Sequence, residues 1–255
     1  MFYIDGVLEF YITNECNLTC SNCNRYNNYN FEGNYSWNDH AEEIQAWSRR
    51  LSAKTITIIG GEPTLHPELD SWVHGLCQAW PNTPVMIQTN GTVPFDKNRY
   101  PEYKNLGFGI AIHSKAMNKN LTRRWGTGVF DATEFTECAL KDQGSHFTVH
   151  DSDTVLAFNA CSMSASHTIL NGKLYKCPMV AVLPEFKKQY NVVLTDEQQT
   201  LLDSYKPLSV DCPDQDLVEF LNSRHSPIPQ CRLCPDNFTM STVTFDHSRK
   251  KRIKT

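Results

Sequence analysis

The sequence predicts an α/β fold, a parallel sheet built from βαβ units followed by a smaller segment of different rhythm. Three observations carry this. Strand-like and helix-like stretches alternate from residue 7 to about residue 150. The strand-like runs are apolar or β-branched and end in glycine or Asn-Gly turns. After residue 150 the alternation gives way to a hairpin signal and a Pro- and Cys-rich loop. At ~150 residues per domain, 255 residues make one large domain or about one and a half.

Each element has a local reason. Residues 7–13, VLEFYIT, form a strand that runs straight into Asn14-Glu15-Cys16. From Asp39 to Leu51, Ala41, Ile44, Ala46, Trp47 and Leu51 recur at near-helical spacing. The β-branched run after Lys54 ends at the paired glycines Gly60 and Gly61, a strand meeting a tight loop. Pro67 to Trp80 suits a helix that stops before Pro81. Val85 to Thr89 is a strand closed by Asn90-Gly91, and Leu106 to His113 is the next. Asp131 to Lys141 reads as a helix closed by Gly144, and the strand HFTVH ends at His150. Beyond it, Cys161 to Met179 reads as a hairpin turning at Asn171-Gly172. Helices follow over Thr195–Ser204, capped by Thr195, and Asp214–Ser223.

Composition narrows the function class. Hydrophobic residues at 40% and charged residues at 20% describe an ordinary globule. No apolar run reaches the ~18 residues of a membrane span, and the first dozen residues carry Asp5 and Glu9 with no basic residue. A cytoplasmic, monomeric protein with no membrane partner is expected. The net charge of −4 includes Arg249, Lys250, Lys251, Arg252 and Lys254; without these five, 19 cationic residues face 28 acidic ones, net −9. So acidic a body argues against nucleic acid as a partner, and residues 241–255 read as a basic, solvated, disordered tail.

The chain has ten cysteines. In a reducing compartment such cysteines serve as metal ligands or catalytic groups more often than in disulfides. Cys77 and Cys138 sit alone in helix-like stretches, where a small buried hydrophobe is the default. The others fall into two groups plus Cys212. Cys16, Cys20 and Cys23, spaced C-x3-C-x2-C, follow the first strand. A structural zinc site wants four ligands, and only His40 or His66 stands near as a fourth, without zinc-type spacing. Three thiolates on a [4Fe–4S] cluster leave one iron open to another molecule.

With Gly60-Gly61-Glu62-Pro63 placed 36 residues after Cys23, the sequence resembles the radical S-adenosylmethionine superfamily. Thr89-Asn90-Gly91 is similar to the end of that family's third strand. The stretch from Arg123 and Arg124 to Asp131 is similar to its R-G-x-G-x-F-D segment, so the resemblance covers about residues 7–145. It implies a partial (β/α)6 TIM-type barrel over residues 1–150, with the cluster on Cys16, Cys20 and Cys23. By the same resemblance Gly60, Gly61, Glu62, Pro63, Asn90 and Arg123 bind S-adenosylmethionine. In the family the glycines let backbone approach the cofactor's methionine end, and the glutamate lies near its amino group. Asn22 replaces the usual aromatic before the third cysteine, and His113-Ser114 stands where many members have S-x-D-G. Tyr26, His113 and Ser114 are the remaining candidates for adenine and ribose.

The second group is Cys161-x10-Gly172-x4-Cys177 with Cys231-x2-Cys234. As a bare pattern it could hold zinc or an iron–sulfur cluster. It resembles the shortened SPASM unit called a twitch domain, which implies a small C-terminal α+β auxiliary-cluster domain over residues 151–240 and a second [4Fe–4S] cluster. Cys212 is left as a structural thiol, a replacement ligand, or a hydrogen donor to a substrate radical. His150, Asp151 and Asp153 follow the expected last barrel strand, where barrel enzymes place functional groups.

The reaction implied is reductive cleavage of S-adenosylmethionine, fed by a flavodoxin- or ferredoxin-type reductant, and hydrogen abstraction from a substrate C–H bond. Net oxidation follows if the auxiliary cluster accepts the radical's electron. Epimerisation and peptide modification, as thioether or crosslink formation, are the alternatives. Only fifteen residues precede Cys16, which with the short auxiliary unit favours a small polar substrate, or a peptide brought by a partner. The rival of another class is a non-catalytic iron–sulfur electron carrier or zinc-binding module, neither of which needs Gly60-Gly61-Glu62.

Overall fold

Strand β1, Phe2–Thr13, organises the molecule. In the computed structural model, which describes residues 1–20, 23–93, 95–96, 98–112, 129–131, 134–135, 139–164, 166–237 and 241–242, this strand is buried on both faces. Leu8, Phe10 and Ile12 alternate with Glu9, Tyr11 and Thr13, and all six are buried. The first face packs under helix α1, Ala41–Arg50, and helix α2, Leu69–Ala79. Ile44, Trp47, Trp72, Val73 and Leu76 meet Leu8, Phe10 and Ile12 there. Trp47 and Trp80 satisfy their indole N–H groups on the Gly172 and Leu51 carbonyls, at 2.8 Å each.

On one side of β1 the sheet continues in parallel through β2 (Leu51–Gly60), β3 (Val85–Thr89), β4 (Leu106–Ile112) and β5 (Val129–Asp131). Two expectations fail beyond it. The described residues between Asp131 and Lys141 are not helical: they form β6, Glu134–Phe135, and the start of β7, Leu140–Asp142. Gly144 closes no helix but turns β7 into the antiparallel β8, Phe147–Val149. Its φ of 88° is left-handed, and its N–H donates to Asp142 Oδ1 at 2.9 Å. This Asp-to-glycine turn chemistry outweighs the weak helical spacing before it. The strand expected to close the parallel series therefore stands in a separate hairpin.

The parallel strand on the other side of β1 is instead β9, Ser166–Leu170, with the antiparallel β10, Lys173–Tyr175, outside it. The seven-stranded order is β10-β9-β1-β2-β3-β4-β5, a mostly parallel α/β sheet as expected for a partial barrel. Asn171 and Gly172, with φ of 50° and 69°, make the tight turn that Asn-Gly encodes.

Two helices escape the sequence pattern, α3 at Thr154–Ala160 and α4 at Pro178–Lys187. Helix α4 is buried nearly all round, at Met179, Val180, Ala181, Val182, Leu183 and Phe186, so it has no polar stripe, and Pro184 lies inside it. It covers the second face of β1, in a core with Tyr11, Tyr26, Phe31 and Phe147. Helix α5, Asp196–Asp203, starts at a capping box of Thr195 and Gln198, and α6 spans Asp214–Asn222.

Candidate active site

The Cys16–Cys23 loop leaves the end of β1, and the end of β2 braces it. Gly61 N donates to Thr13 O at 2.8 Å and Glu62 N to Glu15 O at 2.7 Å. This close approach is what requires the paired glycines. A Cβ on Gly60 would lie 2.4 Å from Thr13 O, and one on Gly61 would lie 2.1 Å from Glu15 O. In this structure the side of each glycine that would carry a Cβ is thus turned to the cysteine loop.

Glu62 is fully buried. Its Oε1 accepts from Thr64 N at 3.1 Å, Thr64 Oγ1 at 2.5 Å and Thr89 Oγ1 at 2.6 Å, and its Oε2 accepts from Asn90 N at 2.7 Å. Burial raises its pKa while these donors pull it back. The carboxylate also caps the 3-10 turn Pro63–Leu65, which explains the proline that follows it. Oε2 holds a single bond, which leaves acceptor capacity for an ammonium group. From Asn90 the network reaches the cysteine loop. Its Nδ2 donates to Asn17 Oδ1 at 2.9 Å, and Asn17 Nδ2 donates to Thr92 Oγ1 at 2.8 Å.

The three thiols lie close enough to affect one another. The Cys20 thiol is pushed well above its ordinary range by burial first, then by Cys23 and Cys16. Three thiolates so placed repel, and iron would relieve that repulsion, so the donor set fits a cluster. Among the described residues no three Cys, His, Asp or Glu side chains converge as they would on one metal ion. His66 is committed elsewhere. Its Nδ1 accepts from Glu68 N, which puts the ring proton on Nε2, facing Tyr35 O at 2.9 Å.

Sequence reading missed a buried ion pair behind this loop. Arg25 Nη2 donates to both Glu9 oxygens at 2.7 Å, Thr168 Oγ1 adds a bond at 3.1 Å, and Arg25 Nη1 reaches Asn24 Oδ1 at 3.0 Å. Arg25 Nε is buried with no hydrogen-bond partner among the described residues. The signal was Glu9 itself, a charge inside an otherwise apolar strand.

The second cysteine group gathers around helix ends. Cys161 ends α3, Cys177 precedes Pro178 at the start of α4, and Cys231 lies in the 3-10 turn Pro229–Leu233, with Cys234 just after it. Cys161 and Cys177 thus flank the β9–β10 hairpin rather than sit on its strands. Cys161, Cys177 and Cys234 line one cavity of about 60 Å³, whose wall also includes Asn24, next to Cys23. Burial pushes the Cys177 thiol up to about 12; Cys161 and Cys231 push the same way, and the Val180 and Met179 N–H groups oppose them. Cys231 is raised by burial and by Cys161. Three thiols that disfavour one another's charge in an apolar setting, with Cys234 on the same cavity wall, again suit iron better than free thiols.

Other candidates stand apart. Tyr26, with φ of 62°, is fully buried, its ring 5.2 Å from Phe186, so no face is left for adenine. Cys212 accepts from Arg50 Nη1 at 3.6 Å, at the start of β2, whereas Glu62 follows that strand's end. Ten residues at ~3.3 Å each separate the two ends by about 30 Å, so Cys212 is no hydrogen donor in this site. Asp153 caps α3, its Oδ1 accepting from Val155 N and Leu156 N at 2.9 Å each. Asp151 pairs with Arg232 Nε at 2.5 Å. With His150 it lines an open cavity of about 380 Å³, which shares Pro235 and Asn237 with the thiol cavity. His113, Ser114, Arg123 and Cys138 lie outside the described residues.

A family model described as the Radical SAM superfamily matches residues 10–144. The chain belongs to that superfamily. It is a radical SAM enzyme, and S-adenosylmethionine and a [4Fe–4S] cluster are its cofactors. A search of curated proteins returned no match. Among solved structures, that of BtrN in complex with AdoMet and 2-DOIA is 16% identical, covering 96% of this chain and 100% of that one with a TM-score of 0.51. This likeness is one of fold. Streptococcus suis SuiB is 19% identical over 42% of this chain, with a TM-score of 0.34; the match spans 24% of the SuiB chain. Among the described residues no helix is long and apolar enough to cross a membrane.

Proposed function

We propose that this radical SAM enzyme performs a net two-electron oxidation of a small polar substrate, with Cys16, Cys20 and Cys23 holding the SAM-binding cluster and Cys161, Cys177, Cys231 and Cys234 holding an auxiliary [4Fe–4S] cluster that accepts the second electron. When bound, the first cluster and S-adenosylmethionine supply the 5′-deoxyadenosyl radical that abstracts hydrogen. The chain's own residues hold and orient. Glu62 offers Oε2 to the cofactor's ammonium, and Thr64, Thr89 and the Asn90 N–H fix that carboxylate. Asn90, Asn17 and Thr92 tie the third strand to the cysteine loop. Arg25 keeps one buried donor for a polar substrate or cofactor oxygen, and His150 stays as a wall of the substrate pocket. Residues 151–240 form the twitch-like auxiliary unit, joined to the barrel through β9.

One observation carries the oxidation reading. The second thiol cavity takes Asn24 into its wall, one residue from Cys23. The cavity lined by Cys161, Cys177 and Cys234 therefore borders the loop that carries the first three cysteines, which suits an electron acceptor beside the site where the substrate radical forms. Epimerisation has lost its proposed thiol, since Cys212 sits at the far end of β2. The test is product analysis on reduced protein with S-adenosylmethionine and a panel of amino alcohols and polyols. The wild type should release 5′-deoxyadenosine with an oxidised product. A Cys177→Ala/Cys234→Ala variant should still release 5′-deoxyadenosine from the cofactor but make no oxidised product. Oxidation unchanged in that variant, or a bond formed on a peptide instead, would overturn the reading.

A further inference from the structure

Beside the second cysteine group lies a buried cation that nothing above employs. Lys176, next to Cys177, is 7% exposed. Its N–H donates to the Tyr205 hydroxyl at 2.8 Å. Its Nζ donates to Ser223 O, to Ser223 Oγ at 3.1 Å and to Ser226 O at 2.8 Å. Three acceptors take its three protons, so the group is an ammonium. Every acceptor is a neutral oxygen, and a buried charge without a counter-ion is costly. Burial accordingly lowers the pKa of this ammonium, and the charges that oppose the lowering are those of Cys231 and Cys177. The neighbouring Arg224 adds a second positive charge: it and Lys176 both help depress His167, whose pKa burial first takes down to about 4.

The same contacts tie the two halves of the cysteine group. Lys176 ends the hairpin that carries Cys177 forward, and the Ser223–Ser226 carbonyls belong to the segment leading into Cys231 and Cys234. A cation fixed there feels the extra negative charge when a four-thiolate cluster takes an electron. Net charge and burial are among the factors that set such potentials.

We propose that Lys176 is the built-in counter-charge of the auxiliary site, raising the reduction potential of its cluster so that it accepts the substrate radical's electron. The inference rests on the auxiliary-cluster reading above. It assigns Lys176 a positioning and tuning role with no contact to substrate.

The test uses the full chain carrying Cys16→Ala, Cys20→Ala and Cys23→Ala, in which only the auxiliary cluster can assemble. Iron content and an EPR-monitored redox titration are compared for Lys176 and for the Lys176→Met, Lys176→Gln and Lys176→Arg variants. The glutamine variant keeps an amide donor for the Ser223 and Ser226 oxygens without the charge. The expected result is about four irons in each, with the neutral variants at least tenfold harder to reduce, ~59 mV for a one-electron couple, and arginine close to the parent. Iron kept by arginine but lost by both neutral variants also supports the charge requirement. Four irons with an unchanged potential in a neutral variant would reduce Lys176 to a structural pin, and so would loss of iron in the arginine variant. An iron-free parent would instead overturn the auxiliary-cluster reading, and this inference with it.

Discussion

The two sulfur sites use the same ligand chemistry but are built in opposite ways. Cys16, Cys20 and Cys23 come from one loop, braced largely by backbone hydrogen bonds and by one buried carboxylate that reads the end of β3. The second group comes from the ends of α3 and α4 and a 3-10 turn more than fifty residues further along. A lysine tether and apolar packing hold it. The first is a local motif presented by a sheet edge; the second exists only once the hairpin, α4 and the C-terminal segment have packed. The difference separates what spacing encodes from what tertiary assembly encodes.

The largest effect that would sharpen this contrast is Gly61→Ala. The new Cβ meets backbone, Glu15 O, rather than a movable side chain. The cysteine loop must shift. Bound iron should fall by about four per chain, with the auxiliary cluster retained and 5′-deoxyadenosine release abolished. Full iron and normal release in this variant would break the claim that the glycines serve the loop.

Next in size is Glu9→Gln, which leaves the buried Arg25 without its counter-charge. Removing one partner of such a pair costs about 3–5 kcal/mol, and at ~2–4 °C per kcal/mol Tm should drop by about 10 °C in thermal unfolding. A change of only a degree or two would mean that the pair behind Cys23 braces nothing.

The smallest effect belongs to Cys212→Ala, at the opposite end of β2. Turnover and product stereochemistry should match wild type in a substrate assay. Loss of turnover with the fold intact would return Cys212 to the chemistry.

The sequence made the first site legible because strand, turn and ligands are contiguous: VLEFYIT, C-x3-C-x2-C and Gly60-Gly61-Glu62 each sit where the structure uses them. The Asn171-Gly172 turn and the Thr195 cap were equally local. What escaped was non-local. The helix expected over Asp131–Lys141 lost to turn chemistry at Gly144. Helix α4 was invisible because a helix buried on all sides shows no stripe. The Glu9–Arg25 pair and the reach of Lys176 to Ser223 and Ser226 depend on strand order, which no spacing reports. Asp151 and Asp153, placed by chain order after a supposed barrel strand, turned out to be an ion-pair partner and a helix cap.

The central claim is that the second thiol group is a second cluster. Iron content with EPR after anaerobic reconstitution, for wild type against the Cys16/Cys20/Cys23→Ala variant, tests it most directly. Two four-iron clusters predict roughly eight irons per wild-type chain and about four in the variant, with a signal that S-adenosylmethionine perturbs only in the wild type. About four irons in the wild type and none in the variant would contradict the claim, and remove the electron acceptor on which the oxidation reading stands.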